Sequence, residues 1–333
     1  MSLYLFPFII SFGISVLITS GLVWLSHKFS VLKKEKAIRW GGIALILSFT
    51  ATLFLTPELF ISQSLGGILI ALGIILLVGL WDDWHRLDWK SQLVFQIAVA
   101  ILVFIFGVRV EYITNPLGGI FFLNLGKYLL PSLFFTIIWI VILINAVNWL
   151  DGLDGLSGGV TLFCAFTLFF LSLKPEVNQP PMGIITMALA GAILGFLIFN
   201  FYPARILAGT SGAWFMGFII AVLAIFAGAK IATALLVMSL PVIDAFWVIG
   251  ERLRSGNSVF KGGDKKHLHS KLLKLGWSPR RIVLFFYSVT FFIVLVALNT
   301  RAIGKLITII LVAVIMTTAL VFINKKISRQ KAV

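Results

Sequence analysis

The stretch Asn145-Ala-Val-Asn-Trp-Leu-Asp-Gly-Leu-Asp-Gly-Leu-Ser-Gly-Gly159 lies between two apolar runs and holds two carboxylates, two carboxamides and four glycines. Polar and ionisable groups are costly in hydrocarbon, so such a cluster at the mouth of an apolar segment reads as a functional site. Asn148, Asp151 and Asp154 fall three apart. Residues at that spacing are neighbours on one helix face, where Asn148 with Asp151, or Asp151 with Asp154, can share a cation. The bland alternative is a polar helix end closed by glycine, which has no need of two acids.

With 60% hydrophobic and 12% charged residues and a mean hydropathy of +1.08, the chain is excluded from the soluble globular class. It reads as an all-α polytopic membrane protein, a single transmembrane domain over 1–333. The first apolar run, 3–25, lacks a basic leader and a small-residue cleavage site and is expected to be a retained span. Further spans are expected near 41–56, 62–80, 92–108, 129–147, 156–173, 182–199, 213–229, 231–250, 282–298 and 303–323, giving eleven, or ten at the lower bound. The single cysteine, Cys164, lies inside an apolar run, which leaves no disulfide framework or thiolate metal site.

The net charge of +15 is explained by topology and not by a nucleic-acid partner. Of 27 Lys and Arg, 21 fall in one set of alternate loops and 6 in the other. The positive-inside rule makes the first set cytoplasmic, with the amino terminus outside the cell membrane and the carboxyl terminus inside. The external segment 110–126 is expected to form a small hairpin around Pro116, Gly118 and Gly119. The longest cytoplasmic loop is 251–281, strongly basic.

The unusual polar clusters all fall on the basic side. Asp82 and Asp83 follow the third span among Trp81, Trp84 and Trp89; adjacent acids point about 100° apart on a helix, so they serve different partners unless the helix ends there. Asn200-Phe-Tyr-Pro-Ala-Arg205 leads into Gly209, Thr210, Ser211 and Gly212, a helix start that can offer a nest of N–H groups to a phosphate, although it is also an ordinary cap. In the long loop, Gly262-Gly-Asp-Lys265-Lys-His267-Leu-His269 carries two histidines amid lysines, suited to donate to phosphates; a solvated basic loop is the alternative. Asp244, after Pro241, is the one acid inside a span. Acids for a divalent cation, donors for phosphates and an apolar body together point to phosphoryl chemistry on a membrane-embedded acceptor.

These motifs occur in the order found in one family. The chain resembles the polyprenyl-phosphate N-acetylhexosamine 1-phosphate transferases, glycosyltransferase family 4, from about Gly41 in Arg39-Trp-Gly-Gly to Leu273. The string Asn-x-x-Asp-Gly-Leu-Asp-Gly-Leu is the most specific part. The resemblance implies transfer of a sugar 1-phosphate from a UDP-amino sugar to undecaprenyl phosphate in the bilayer, with release of UMP. It implies magnesium, with manganese as the alternative ion, and leaves a homodimer open. By motif, Asp82 and Asp83 are the essential acidic pair, Asn148 is a magnesium-site residue, Asp151 and Asp154 contact nucleotide or metal and act in catalysis, and Asn200 contacts the nucleotide.

The chain also departs from the family. The usual Phe-Met-Gly-Asp-x-Gly-Ser is here Leu207-Ala-Gly209-Thr210-Ser-Gly212-Ala. Thr210 thus replaces an acid taken as a magnesium ligand, and Leu207 an aromatic that stacks on uracil. A hydroxyl can still ligate magnesium. The pattern Asp-x-Pro-x-x-Arg-Lys-x-His has left only Lys33, Lys34 and Lys36, and Ser270 takes the place of a third histidine. Substrate binding is expected from Asn200, Arg205, Leu207, Gly209, Gly212, His267 and His269, and metal binding from Asn148, Asp151 and Thr210. The His-x-His pattern places the chain nearer the enzymes that use UDP-N-acetylglucosamine than those that use the muramoyl pentapeptide. A metal-site-weakened lipid-phosphate binder is the alternative, and a transporter has little support because the ionisable residues avoid the midplane.

Overall fold

The computed structural model describes residues 2–28, 37–115, 118–123, 129–226, 231–256 and 266–331. Lys33, Lys34, Lys36, Pro116 and Gly262 to Lys265 lie outside the described residues. The elements are α1 (Ser2–Lys28), α2 (Gly41–Leu55), α3 (Gln63–His85), α4 (Trp89–Ile105), β1 (Tyr112–Thr114), β2 (Ile120–Phe122), α5 (Leu130–Leu150), α6 (Leu156–Ser172), α7 (Pro180–Asn200), α8 (Gly209–Phe226), α9 (Ile231–Val237), α10 (Ser239–Arg254), α11 (Leu268–Lys274), α12 (Pro279–Asn299) and α13 (Ala302–Lys331). The helix starts follow local rules. Ser62, Asp88 and Ser278 accept bonds from the N–H groups of Leu65, Ser91 and Arg281, and proline opens α5, α7 and α12, where its missing N–H costs nothing.

Each expected span coincides with helix. Among the described residues seven helices are long and apolar enough to cross a membrane, or eight if one bent pair counts as a span, and α2, α4 and α6 are shorter. The segment expected as a single span at 231–250 is broken in the middle: α9 and α10 meet at a 75° bend, as in a broken span or a re-entrant loop. The cause is Pro241, whose ring clashes with the carbonyl four residues back, and that residue, Val237, is the last of α9. The expected long loop 251–281 is also partly helical, since α10 runs to Arg254 and α11 follows at Leu268. The expected hairpin is present, with Tyr112 paired to Phe122, Ile113 to Phe121 and Thr114 to Ile120, antiparallel.

α8 is the axis of the bundle, buried along almost its whole length. Trp139 on α5 donates its indole N–H to the Ala221 carbonyl at 2.9 Å. At the other end of α8 three helices converge on Ser211. A Cβ on Gly42 of α2 or Gly79 of α3 would fall within 2.5 Å of Ser211 atoms, so only glycine permits that approach. α1 lies along α7, its buried Ser11, Ser15 and Thr19 turned inward, and Ser15 donates to the Ala192 carbonyl at 2.7 Å. α13 is apolar yet only 11% buried. An apolar helix that finds no protein cover fits a lipid environment.

Candidate active site

The last turn of α3 brings in the two adjacent acids. Asp82 is buried; its Oδ1 accepts from the Leu87 N–H and from Gln92 Nε2, both at 2.9 Å, and its Oδ2 from the Thr210 hydroxyl at 2.5 Å. Asp83 accepts from the Thr210 N–H at 2.9 Å and from Arg39 Nε at 3.1 Å. The two acids therefore have different partners yet meet on one residue. Gly209 has φ +71°, and a Cβ there would lie 2.5 Å from Asp83 Oδ2. Within the phosphate nest expected at Gly209 to Gly212, the Thr210 N–H is thus taken by Asp83. Helix N-termini attract an anion, and here Asp83 supplies it, while Gly212 is packed against Gly42.

The segment before α2 is fixed to the same place. Ile38 and Ile206 form a parallel bridge, Leu207 N–H donates to the Ile38 carbonyl at 2.7 Å, and the first N–H groups of α2, Gly41 and Gly42, donate to the Leu207 and Ala208 carbonyls at 2.9 and 3.0 Å. This pairing holds Arg39 over Asp83. Leu207 is half-buried beside it. The Arg205 side chain is exposed.

The quoted stretch forms the end of α5 and a turn into α6. Because α5 stops at Leu150, Asn148 lies in its last turn, Asp151 caps it, and Asp154 lies beyond the helix. Asp151 accepts from the Ser157 hydroxyl at 2.5 Å. Burial chiefly, then the Asp83 and Asp154 carboxylates, push its pKa up to about 7, against the pull of Ser157 and Arg39. Asp154 accepts from the Ala204 N–H at 3.0 Å. Asn200, expected to contact the nucleotide, is 2% exposed and engaged internally: it accepts from the Gly155 N–H at 3.0 Å and donates to the Ile206 carbonyl at 2.9 Å.

The histidines close the far side. His267 Nδ1 lies 2.7 Å from Asp244 Oδ2, and the His267 and His269 rings are parallel with centroids 5.8 Å apart. His269 Nε2 presses on Gly152, where a Cβ would be 2.2 Å away. Burial lowers the His269 pKa to about 4, which disfavours the charged form of this ring. The motif residues of α3, the α5–α6 turn, the α7–α8 loop and α11 thus all meet at one end of the bundle. Sequence reasoning missed Gln92 and Gln96, the latter accepting from Asn145 Nδ2 at 2.6 Å. Two amides four apart on apolar α4 were a readable signal. It also missed Tyr287, whose hydroxyl donates to the Gly155 carbonyl at 2.6 Å.

The donor set suits magnesium in a particular way. Among the described residues no three His, Cys, Asp or Glu side chains converge as a ready cage. Magnesium is, however, commonly held by one or two carboxylates together with substrate phosphates. Asp151 lies close enough to Asp83 and Asp154 to feel both carboxylates, although burial is the larger cause of its raised pKa, and Asn148, half-buried one turn before it, carries a carboxamide oxygen. Thr210 gives its hydroxyl proton to Asp82.

Comparison with known proteins bears on this arrangement directly. The sequence model described as Glycosyl transferase family 4 matches residues 65–228, which carry Asp82, Asp83, the α5–α6 turn and Thr210. The decaprenyl-phosphate N-acetylglucosaminephosphotransferase of Mycobacterium tuberculosis is 34% identical over 279 residues, covering 75% of this chain and 68% of the relative. The chain belongs to glycosyl transferase family 4. Another member, the probable undecaprenyl-phosphate N-acetylglucosaminyl 1-phosphate transferase of Bacillus subtilis, is 28% identical over 260 residues, 76% of this chain and 70% of the relative. The phospho-N-acetylmuramoyl-pentapeptide-transferase of Moorella thermoacetica is 29% identical over 286 residues, 81% and 86% of the two chains. The activity of this family 4 chain is that of a phosphotransferase.

Proposed function

We propose that the protein transfers N-acetylglucosamine 1-phosphate from UDP-N-acetylglucosamine to undecaprenyl phosphate, releasing UMP, as the first membrane step of a cell-envelope glycan. The observation that carries this reading is a junction. The acidic cluster of Asp83, Asp151 and Asp154 and an apolar groove of about 140 Å³ between α5 and α10, lined by Val141, Ile142, Asn145, Trp149 and Phe246, share the end of α5, which Asp151 caps. Asn145 and Trp149 stand two turns or less before Asp151 on α5, which supports an isoprenoid laid in the groove with its phosphate toward the acids.

In the reaction an oxygen of the lipid phosphate bonds to the phosphorus beside the sugar, the bond from that phosphorus to the UMP oxygen breaks, and UMP leaves with the electron pair. The second pKa of a phosphate monoester is near ~6, so the acceptor is largely dianionic at neutral pH and needs no general base. Asp82 and Asp83 accordingly position other groups: Asp83 holds Arg39 and the start of α8. Arg39, half-exposed, and Arg205 supply fixed positive charge against two repelling phosphates. Asn148, Asp151 and Thr210 would hold the magnesium ion, and the ion when bound would neutralise charge on the diphosphate.

The finer topology belongs to the same proposal. All eleven apolar segments cross, and the site end is cytoplasmic; the 21 Lys and Arg on that end support it. The test uses purified protein, undecaprenyl phosphate and two donors in parallel, UDP-N-acetylglucosamine and UDP-N-acetylmuramoyl-pentapeptide, with the lipid product identified and UMP measured. Product from the first donor alone is expected. Product from the second alone, or none from either, would overturn the reading.

A further inference from the structure

Asp244 is the acid that the chemistry above leaves unused. It stands on α10 just past the bend and is 5% exposed. Both of its oxygens are engaged with the next element: Oδ2 with His267 Nδ1 at 2.7 Å, and Oδ1 with the Leu268 N–H at 2.8 Å. A carboxylate only accepts, so the proton in the first bond sits on Nδ1 in either charge state of the ring. Nε2 is then the nitrogen left for a ligand. The second bond pins the main chain at the foot of the same ring, so position and orientation are set together. Trp149, the neighbour of Asn148, packs on one side of the ring at 5.9 Å between centroids, and His269, pressed on Gly152, lies parallel on another.

We propose that Asp244 is a positioning residue, which fixes the His267 tautomer and presents Nε2 to the diphosphate of the sugar nucleotide. This rests on the proposed function. With Asp244 at one nitrogen and a phosphate at the other, the ring stands between two anions, and its imidazolium form donates to both. An asparagine at 244 removes one anion. Its amide can also donate to Nδ1, which forces the reversed tautomer, the same consequence that an Asp-to-Asn change has behind a catalytic histidine. The bend at Pro241 gains a purpose here, because it sets Asp244 beneath the start of α11.

The experiment is a double-mutant cycle on the full-length protein, with kcat and KM measured separately for UDP-N-acetylglucosamine and undecaprenyl phosphate. Asp244→Asn and His267→Ala are each expected to lower kcat/KM for the sugar nucleotide by about ten- to a hundredfold, the worth of a hydrogen bond to a charged group. KM for undecaprenyl phosphate should stay unchanged. The double variant should be no worse than His267→Ala alone. If Asp244→Asn does not fold, Asp244→Glu, which keeps the charge but shifts the carboxylate by one methylene, should lose activity on the wild-type background and none on the His267→Ala background. Losses that multiply, or an equal loss toward both substrates, would overturn the assignment. Wild-type protein that turns over neither substrate would overturn the functional reading and this inference with it, whereas turnover with an additive cycle defeats Asp244 alone.

Discussion

Thr210 donates twice, its N–H to Asp83 and its hydroxyl to Asp82. Thr210→Val keeps the shape and removes the second bond, leaving a buried carboxylate one donor short; the expected loss is about 1 to 3 kcal/mol of stability, read from unfolding in detergent. Thr210→Asp restores the acid of the family pattern and sets a third carboxylate beside two others. Its thermal midpoint should be below wild type in chelator and rise more than wild type's on adding magnesium. An equal magnesium response in both proteins would remove the cation from this neighbourhood. His269 gives a pH test. Its pKa is lowered by burial from 6.5 to about 4, so between those values the unfolded chain takes up a proton that the folded chain refuses. Stability from this group is complete above pH 6.5 and falls by about 3 kcal/mol as pH drops to 4. Asp151, raised to about 7, contributes with the opposite sign in the same range. The comparison must therefore be wild type minus His269→Gln, and a difference that does not change with pH would contradict the burial account.

At the scale of elements, α10 holds α11 at two points seven residues apart, Asp244 and Glu251. Glu251 Oε1 receives Lys271 Nζ and Trp247 Nε1, both at 2.7 Å, and Asn324 Nδ2 of α13 at 2.5 Å. Lys271 is only 4% exposed, and burial lowers its pKa against the opposing effect of Glu251. Glu251→Ala strands a buried ammonium and should cost about 3 to 5 kcal/mol, most of it recovered by adding Lys271→Met. Failure of the second change to rescue stability would place the cost elsewhere. These couplings were not legible in the sequence, because they join residues twenty and seventy-three apart whose pairing depends on how α13 returns to α10. Hydropathy likewise gave no sign of the bend inside 231–250, since it scores apolarity and is blind to the clash that Pro241 imposes. What periodicity and composition did reveal were the helices themselves, where local rules decide the outcome. Asn200 was found by its motif, but only the fold shows it tied inward.

At the scale of the whole molecule the motif ends alternate with the apolar runs, so the site could be expected at one end before any contact was known. Which side of the membrane that end faces depends on whether the short helices cross. α2 has 15 residues and α4 and α6 have 17, which at ~1.5 Å per residue is about 23 to 26 Å, less than the ~30 Å of a hydrocarbon core. A short span is accommodated by thinning the bilayer locally, at a modest cost per ångström. The basic residues make the orientation testable. Cys164 is buried and can be replaced by alanine to give a background free of thiols. Ser255, exposed after α10, and Glu176, exposed between α6 and α7, then mark the two ends. A cysteine at 255 should react with an impermeant reagent only from the cytoplasm, and one at 176 only from outside. The reverse pattern would invert the protein, and reaction of both from one side would mean that an odd number of the apolar segments between them does not cross, with the bent α9–α10 pair the first to suspect.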